Sequence, residues 1–155
     1  MAEFNHAKEL NTNVDYDFIT DAMTGDRDAR MHLYFQLLHS FQKADSVDII
    51  VSFLMESGVK MLIEDLENAL KRGAKIRILT GNYLGITQPS ALYLIKRKLG
   101  DQIDLRFYNE KNRSFHPKSY ILHYKDYNEI YIGSSNISRS ALTSGIEWNL
   151  SLIHI

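Results

Sequence analysis

The sequence predicts an α/β protein, a layered α/β/α sandwich around a mixed, mostly parallel sheet. Three observations carry that expectation. Short runs rich in Val, Ile and Leu alternate with segments of helical period, the pattern of strands joined by crossover helices. Two later apolar runs are separated only by four polar residues, which reads as a hairpin added to that sheet. The chain has 155 residues, 45% of them hydrophobic and 24% charged, enough for one domain with a real core.

The elements follow in order. Residues 1–27 form an N-terminal arm, polar and patternless through about residue 13 and acidic beyond it, with Asp15, Asp17, Asp21 and Asp26. The domain then occupies 28–155. A helix begins near Asp28, with Met31, Phe35, Leu38 and Phe41 at helical spacing. Ser46 to Phe53 is a buried strand. Glu56 to Arg72 is amphipathic, placing Val59, Leu62, Ile63, Leu66 and Leu70 on one side, and Gly73 stops it. Lys75 to Leu79 is a second strand and Gly81 to Gln88 a loop. Pro89 suits the first turn of a helix that runs to about Leu99. Ile103 to Tyr108 is a third strand, and Asn109 to Phe115 another loop. Ser119 to Tyr124 and Glu129 to Ile132 pair as the hairpin, Ser138 to Leu142 starts a short helix, and Glu147 to Ile153 is the last strand.

Composition excludes several classes. With no cysteine there is no disulfide framework, no thiolate metal site and no cysteine nucleophile, which fits a reducing compartment such as the cytoplasm. No basic segment followed by an apolar one opens the chain, and the longest apolar stretch, Val47 to Met55, is too short for a bilayer and contains Asp48; no membrane association is expected. A net charge of -1 argues against a generic polyanion binder. The charge is uneven, however: Lys96, Arg97, Lys98, Arg106, Lys111, Arg113 and Lys118 are either solvated surface or a basic approach to a site.

Chemistry concentrates in His116-Pro117-Lys118 and Gly133-Ser134-Ser135-Asn136. An imidazole and an ammonium two residues apart share a side of an extended chain, and Pro117 holds His116 towards that conformation. A lysine beside the apolar Tyr120, Ile121 and Leu122 is costly to bury without an anion. The Gly-Ser-Ser-Asn turn before a helix start offers neutral donors to an anion, and Gly133 permits close approach to it. A nucleophile, a fixed cation and neutral donors are what a phosphodiester requires at phosphorus. An ordinary serine turn capping a helix has the same composition.

His116-x-Lys118 with Gly133-Ser134-x-Asn136 resembles the HxK…GSxN signature of the phospholipase D superfamily, and Glu147 lies where that family has an acidic residue. The resemblance implies a metal-independent phosphodiesterase that needs no cofactor and works through a phosphohistidine. In that reading His116 attacks, Lys118 and Asn136 hold phosphate oxygens, Ser134 assists and Glu147 orients His116. Ser135 and Arg113 are expected to bind substrate. The family often has an aspartate where this chain has His123, and Asp126 is the nearby acidic residue; phospholipid as substrate is disfavoured.

The segments Phe41 to Asp45, Arg77 to Gly81 and Ser114 to Lys118 look like the nuclease domain found N-terminal to superfamily II helicase modules in bacteria. A DNA substrate and a helicase module beyond this chain follow from that likeness, as does a catalytically idle nucleic-acid-binding or dimerisation module as the alternative. The chain ends within an apolar run, Leu150 to Ile155, as a fragment of a longer protein would. One copy of the signature where the family chemistry needs two histidines predicts a homodimer sharing one site.

Overall fold

A computed structural model describes residues 21–23, 32–110 and 112–154. Its elements are β1 (Asp21–Met23), α1 (Leu33–Phe41), β2 (Ser46–Val51), α2 (Glu56–Lys71), β3 (Lys75–Gly81), α3 (Pro89–Leu99), β4 (Asp104–Tyr108), β5 (Lys118–His123), β6 (Asn128–Gly133), α4 (Arg139–Leu142) and β7 (Asn149–His154). The seven strands form one sheet in the order β1-β7-β6-β5-β2-β3-β4.

The sheet is mixed, as expected. Strands β2, β3 and β4 are parallel, each joined to the next by a crossover helix. Every other pairing is antiparallel, so the parallel share is smaller than the sequence suggested. The reason lies in the second half of the chain, where the connections from β5 to β7 contain no helix long enough for a parallel crossover.

Residues facing each other across a pair share a face, and the register shows which face is covered. Val47, Ile49 and Val51 of β2 oppose Leu122, Tyr120 and Lys118 of β5, and all six are buried. Helix α2 packs against α1, α3 and α4 on that side. Each aliphatic side chain buried there contributes roughly 1.5–3 kcal/mol of transfer free energy. The opposite face alternates with it and carries Asp48, Ile50, Arg77 and Ile121, which are partly or fully accessible. Among the described residues the helices therefore make a single layer, and the second helical layer of the expected sandwich is not among them.

Local sequence explains most boundaries. Gly73 follows α2 with φ +95, a left-handed conformation that glycine adopts without steric cost. Pro89 opens α3 at its first turn, as expected. The Arg72 guanidinium donates to the carbonyls of Phe41 and Ala44 at 2.9 and 3.0 Å, tying the end of α2 to the α1–β2 turn. Helix α1 differs from expectation: it buries Leu33, Leu37, Ser40 and Phe41, while Phe35 is 46% exposed. Two apolar stripes of helical period coexist in this segment, and tertiary packing selects one. The expected start at Asp28, Met31 and most of the arm lie outside the described residues; the arm contributes β1, which pairs with β7 and which the composition concealed.

Candidate active site

The sequence-predicted residues meet at one end of the sheet because of register. Lys118 opens β5 opposite Val51, the last residue of β2; Gly133 closes β6 opposite Asn149, the first residue of β7. Ser52, His116, Ser134, Asn136 and Glu147 therefore extend from adjacent strand ends into one region. An isolated parallel bridge between Leu54 and Ile137 holds the segment after Asn136 against the chain leaving β2.

Lys118 is the centre of this region. Its side chain is only 9% exposed, and its ammonium donates to Ser52 Oγ at 3.0 Å, to the His116 carbonyl at 2.9 Å and to His116 Nε2 at 3.0 Å. None of these partners is a carboxylate. Burial lowers the Lys118 pKa, and the nearby Glu147 charge offsets part of that effect. A buried ammonium with only neutral acceptors is electrostatically incomplete, and an anion delivered from solvent would complete it. Because an ammonium only donates, His116 Nε2 is the acceptor and the ring proton is on Nδ1. The imidazole is exposed, and its other ring contact is Tyr83, with centroids 4.4 Å apart.

Asn136 is buried, and its Oδ1 accepts from the backbone N–H groups of Ser52 and Phe53 at 2.9 and 3.2 Å. That orientation leaves the Nδ2 donors for a ligand oxygen. Ser52 thus joins the lysine to the asparagine: its hydroxyl receives Lys118, and its amide fixes Asn136. Sequence reasoning missed Ser52, since a serine ending an apolar strand has no pattern of its own. Ser134 is exposed; its hydroxyl donates to the Glu147 carboxylate and accepts the Trp148 N–H at 2.9 Å. A hydrogen bond from His116 to Glu147, expected from the family resemblance, is not among those the described residues make.

The structure places the remaining sequence-named residues around this constellation and away from it. Ser135 is fully buried and its hydroxyl is occupied, donating to the Ala141 carbonyl at 3.1 Å and accepting from Asn149 Nδ2 at 2.9 Å. Its hydroxyl is thus engaged within the fold, at a position the sequence reading expected to bind substrate. A Cβ on Gly133 would lie 2.1 Å from the Trp148 carbonyl oxygen, so that glycine serves strand packing rather than ligand approach. The amide of Ser134 is likewise taken, by the Trp148 carbonyl at 2.9 Å. Arg113 is exposed and lies 4.0 Å from Glu110 on a loop beside the site. Lys96, Arg97 and Lys98 fall in the last turn of α3, which faces the start of β4 and so the opposite end of the sheet. They are solvated surface. His123 ends β5 far from His116 and bonds Asp48 and Asn128, and Asp126 is an exposed turn residue. Among the described residues no cluster of His, Asp and Glu side chains is grouped as a metal site requires.

The family model described as "Cardiolipin synthase, PLD-like domain" matches residues 34–154, which include every residue of this constellation. The chain belongs to the PLD-like domain family. No curated protein matches it in sequence. The solved structures give the same fold at low identity. NucT from Helicobacter pylori superposes with a TM-score of 0.66 at 16% identity, over 87% of this chain and 85% of that one. Phosphatidylserine synthase from Haemophilus influenzae Rd KW20 gives 0.63 at 16% identity, over 87% of this chain but 34% of the other. TrmBL2, an archaeal chromatin protein, gives 0.52 at 15% identity, over 94% of this chain and 48% of that one. Among the described residues no helix is long and apolar enough to cross a membrane.

Proposed function

We propose that this PLD-like domain is a metal-independent phosphodiesterase acting on nucleic acid, most readily DNA. The carrying observation is the buried Lys118 ammonium, which has no carboxylate partner among the described residues and lies 3.0 Å from the exposed imidazole of His116. A phosphodiester oxygen displaces the imidazole from Lys118 and takes a second hydrogen bond from Asn136 Nδ2. That exchange neutralises the lysine and frees the Nε2 lone pair in one step. The imidazole nitrogen then attacks phosphorus: the P–N bond forms as the bond to the leaving oxygen breaks, and that oxygen takes a proton from a second imidazole. Water next attacks the phosphohistidine, the P–N bond breaks, and the second imidazole accepts the proton of the water. Lys118 and Asn136 stabilise the charge that develops on the equatorial oxygens, where loss of one donor typically costs 10²–10³-fold in rate. Glu147 acts on the site through its charge near Lys118 and its bond to Ser134.

The second imidazole comes from a second copy in this reading: of the three His-x-Lys triplets, at His6, His116 and His123, only His116-x-Lys118 belongs to the assembled signature with Gly133-Ser134-x-Asn136. A two-fold homodimer with His116 of each subunit near the axis supplies both groups. Nucleic acid as substrate draws support from TrmBL2, whose structure is described as a mode of DNA binding. The resemblance of the segments around Phe41, Arg77 and His116 to helicase-associated domains adds a helicase module as a partner in a longer protein. A catalytically idle DNA-binding module is the second reading, and the engagement of Glu147 with Ser134 instead of His116 favours it.

Hydrolysis of bis(p-nitrophenyl) phosphate and of DNA in excess EDTA, by wild type and His116→Ala, separates these readings. The expected result is EDTA-resistant cleavage that the substitution abolishes. No cleavage by wild type, with DNA still bound, selects the idle module. Cleavage that survives in His116→Ala rejects the mechanism.

A further inference from the structure

Beside His116 lies a cavity of about 440 Å³ that the phosphodiester chemistry leaves unassigned, a size within the range of ligand pockets. Its walls come from the segments that follow β3 and β4, at the carboxyl ends of parallel strands, where open α/β sheets form their binding crevices. Tyr83, Tyr108 and Phe115 line it, with Asn82 and Asn109 among the polar groups. Tyr108 and Phe115 stack on each other with centroids 4.8 Å apart, and Tyr83 is the ring against His116. The cavity therefore begins one ring's width from the nucleophile.

Two features describe its occupant. Among the described residues the charged groups at its rim face each other: Arg113 lies 4.0 Å from Glu110, whose carboxylate also accepts from the Tyr108 hydroxyl at 2.7 Å. A phosphate-binding pocket would keep its cation free of such a partner. Leu84 stands at the mouth, 78% exposed, with φ +52 and the left-handed backbone that a leucine adopts only at a cost. An apolar side chain held in water by a strained backbone points to a contact made when something binds. Aromatic walls, neutral amides and an apolar lip fit a flat heterocycle with polar edges.

We propose that this cavity is a subsite for the nucleobase adjoining the scissile phosphate, with Leu84 closing over the base against the Tyr108–Phe115 wall and the amides meeting its edge. It rests on the nucleic-acid reading above and deepens it. A base can enter only when it is unstacked from its neighbours, so the subsite selects single-stranded or locally opened chains at the cleavage position.

The test measures kcat/KM on an end-labelled single-stranded oligonucleotide and on the same chain built from abasic residues. Wild type is compared with Leu84→Gly, which adopts a positive φ without strain, and with Tyr108→Ala. Wild type is expected to favour the base-bearing chain by about tenfold, the scale of one base–aromatic stack. Both variants should lose that preference while cleaving the abasic chain as wild type does. Equal wild-type rates on the two chains, or equal losses on both in the variants, would overturn the subsite while leaving the phosphodiesterase standing. Failure of wild type to cleave either chain would instead remove the nucleic-acid reading beneath it.

Discussion

Lys118 carries both a cost and a function, and the two separate experimentally. Burial lowers its pKa below the ordinary 10.5 of lysine. The unfolded chain therefore holds that proton to higher pH than the folded one, and stability rises as pH rises through the folded pKa towards the unfolded value. Lys118→Met should flatten this rise when unfolding is followed by denaturant titration across the alkaline range. The variant should be as stable as wild type or more so at pH 7, with hydrolysis reduced by about 10²–10³-fold. The neighbouring pair Ser135 and Asn136 divides differently. Ser135→Ala leaves Asn149 Nδ2 without its acceptor, for an expected loss of about 1–3 kcal/mol of stability with kcat retained in the folded protein. Asn136→Ala frees the amides of Ser52 and Phe53 and should lose activity as well as stability. The motif was legible at both positions, yet their tasks were not: adjacent residues leaving a strand point in different directions, and only the packing shows which one is enclosed.

At the level of elements, α2 and the chain after β6 meet so closely that a methyl group cannot be added. A Cβ on Gly58 would lie 2.5 Å from the Ile137 carbonyl carbon and 2.6 Å from the Ser138 nitrogen. Gly58→Ala should cost about 1–3 kcal/mol. It should also lower activity, because Ile137 follows Asn136 directly. Chemical denaturation together with the EDTA assay measures both effects. Thr80 in β3 presents the opposite case. Its Oγ1 is buried with no hydrogen-bond partner among the described residues. Thr80→Val keeps the shape and removes the orphaned hydroxyl, and its denaturation midpoint should be unchanged or higher. Helices α2 and α3 were readable because long amphipathic periods bounded by Gly73 and Pro89 leave few alternatives. Strand β1 was not: three residues at a sheet edge carry no period, and pairing with β7 defines them.

The whole molecule sets the stoichiometry of the reaction. If each active site needs His116 from two subunits, an equimolar mixture of wild type and His116→Ala allowed to exchange subunits should retain about a quarter of the wild-type rate rather than a half. Sedimentation should find the active species as a dimer, and an active monomer would exclude the shared site.

The sequence alone determined the α/β class, the two long helices, the hairpin and the His-x-Lys and Ser-x-Asn pair, because each of these follows from local period or from residue chemistry at short spacing. The tertiary structure decided what spacing cannot encode. Register between β2 and β5 brings Ser52 under Lys118, and the pairing of β6 with β7 joins Ser134 to Glu147. It likewise turns Ser135 inward and carries Lys96, Arg97 and Lys98 to the opposite end of the sheet from His116. Side-chain direction and distance between strands are properties of the assembled sheet, and no single segment contains them.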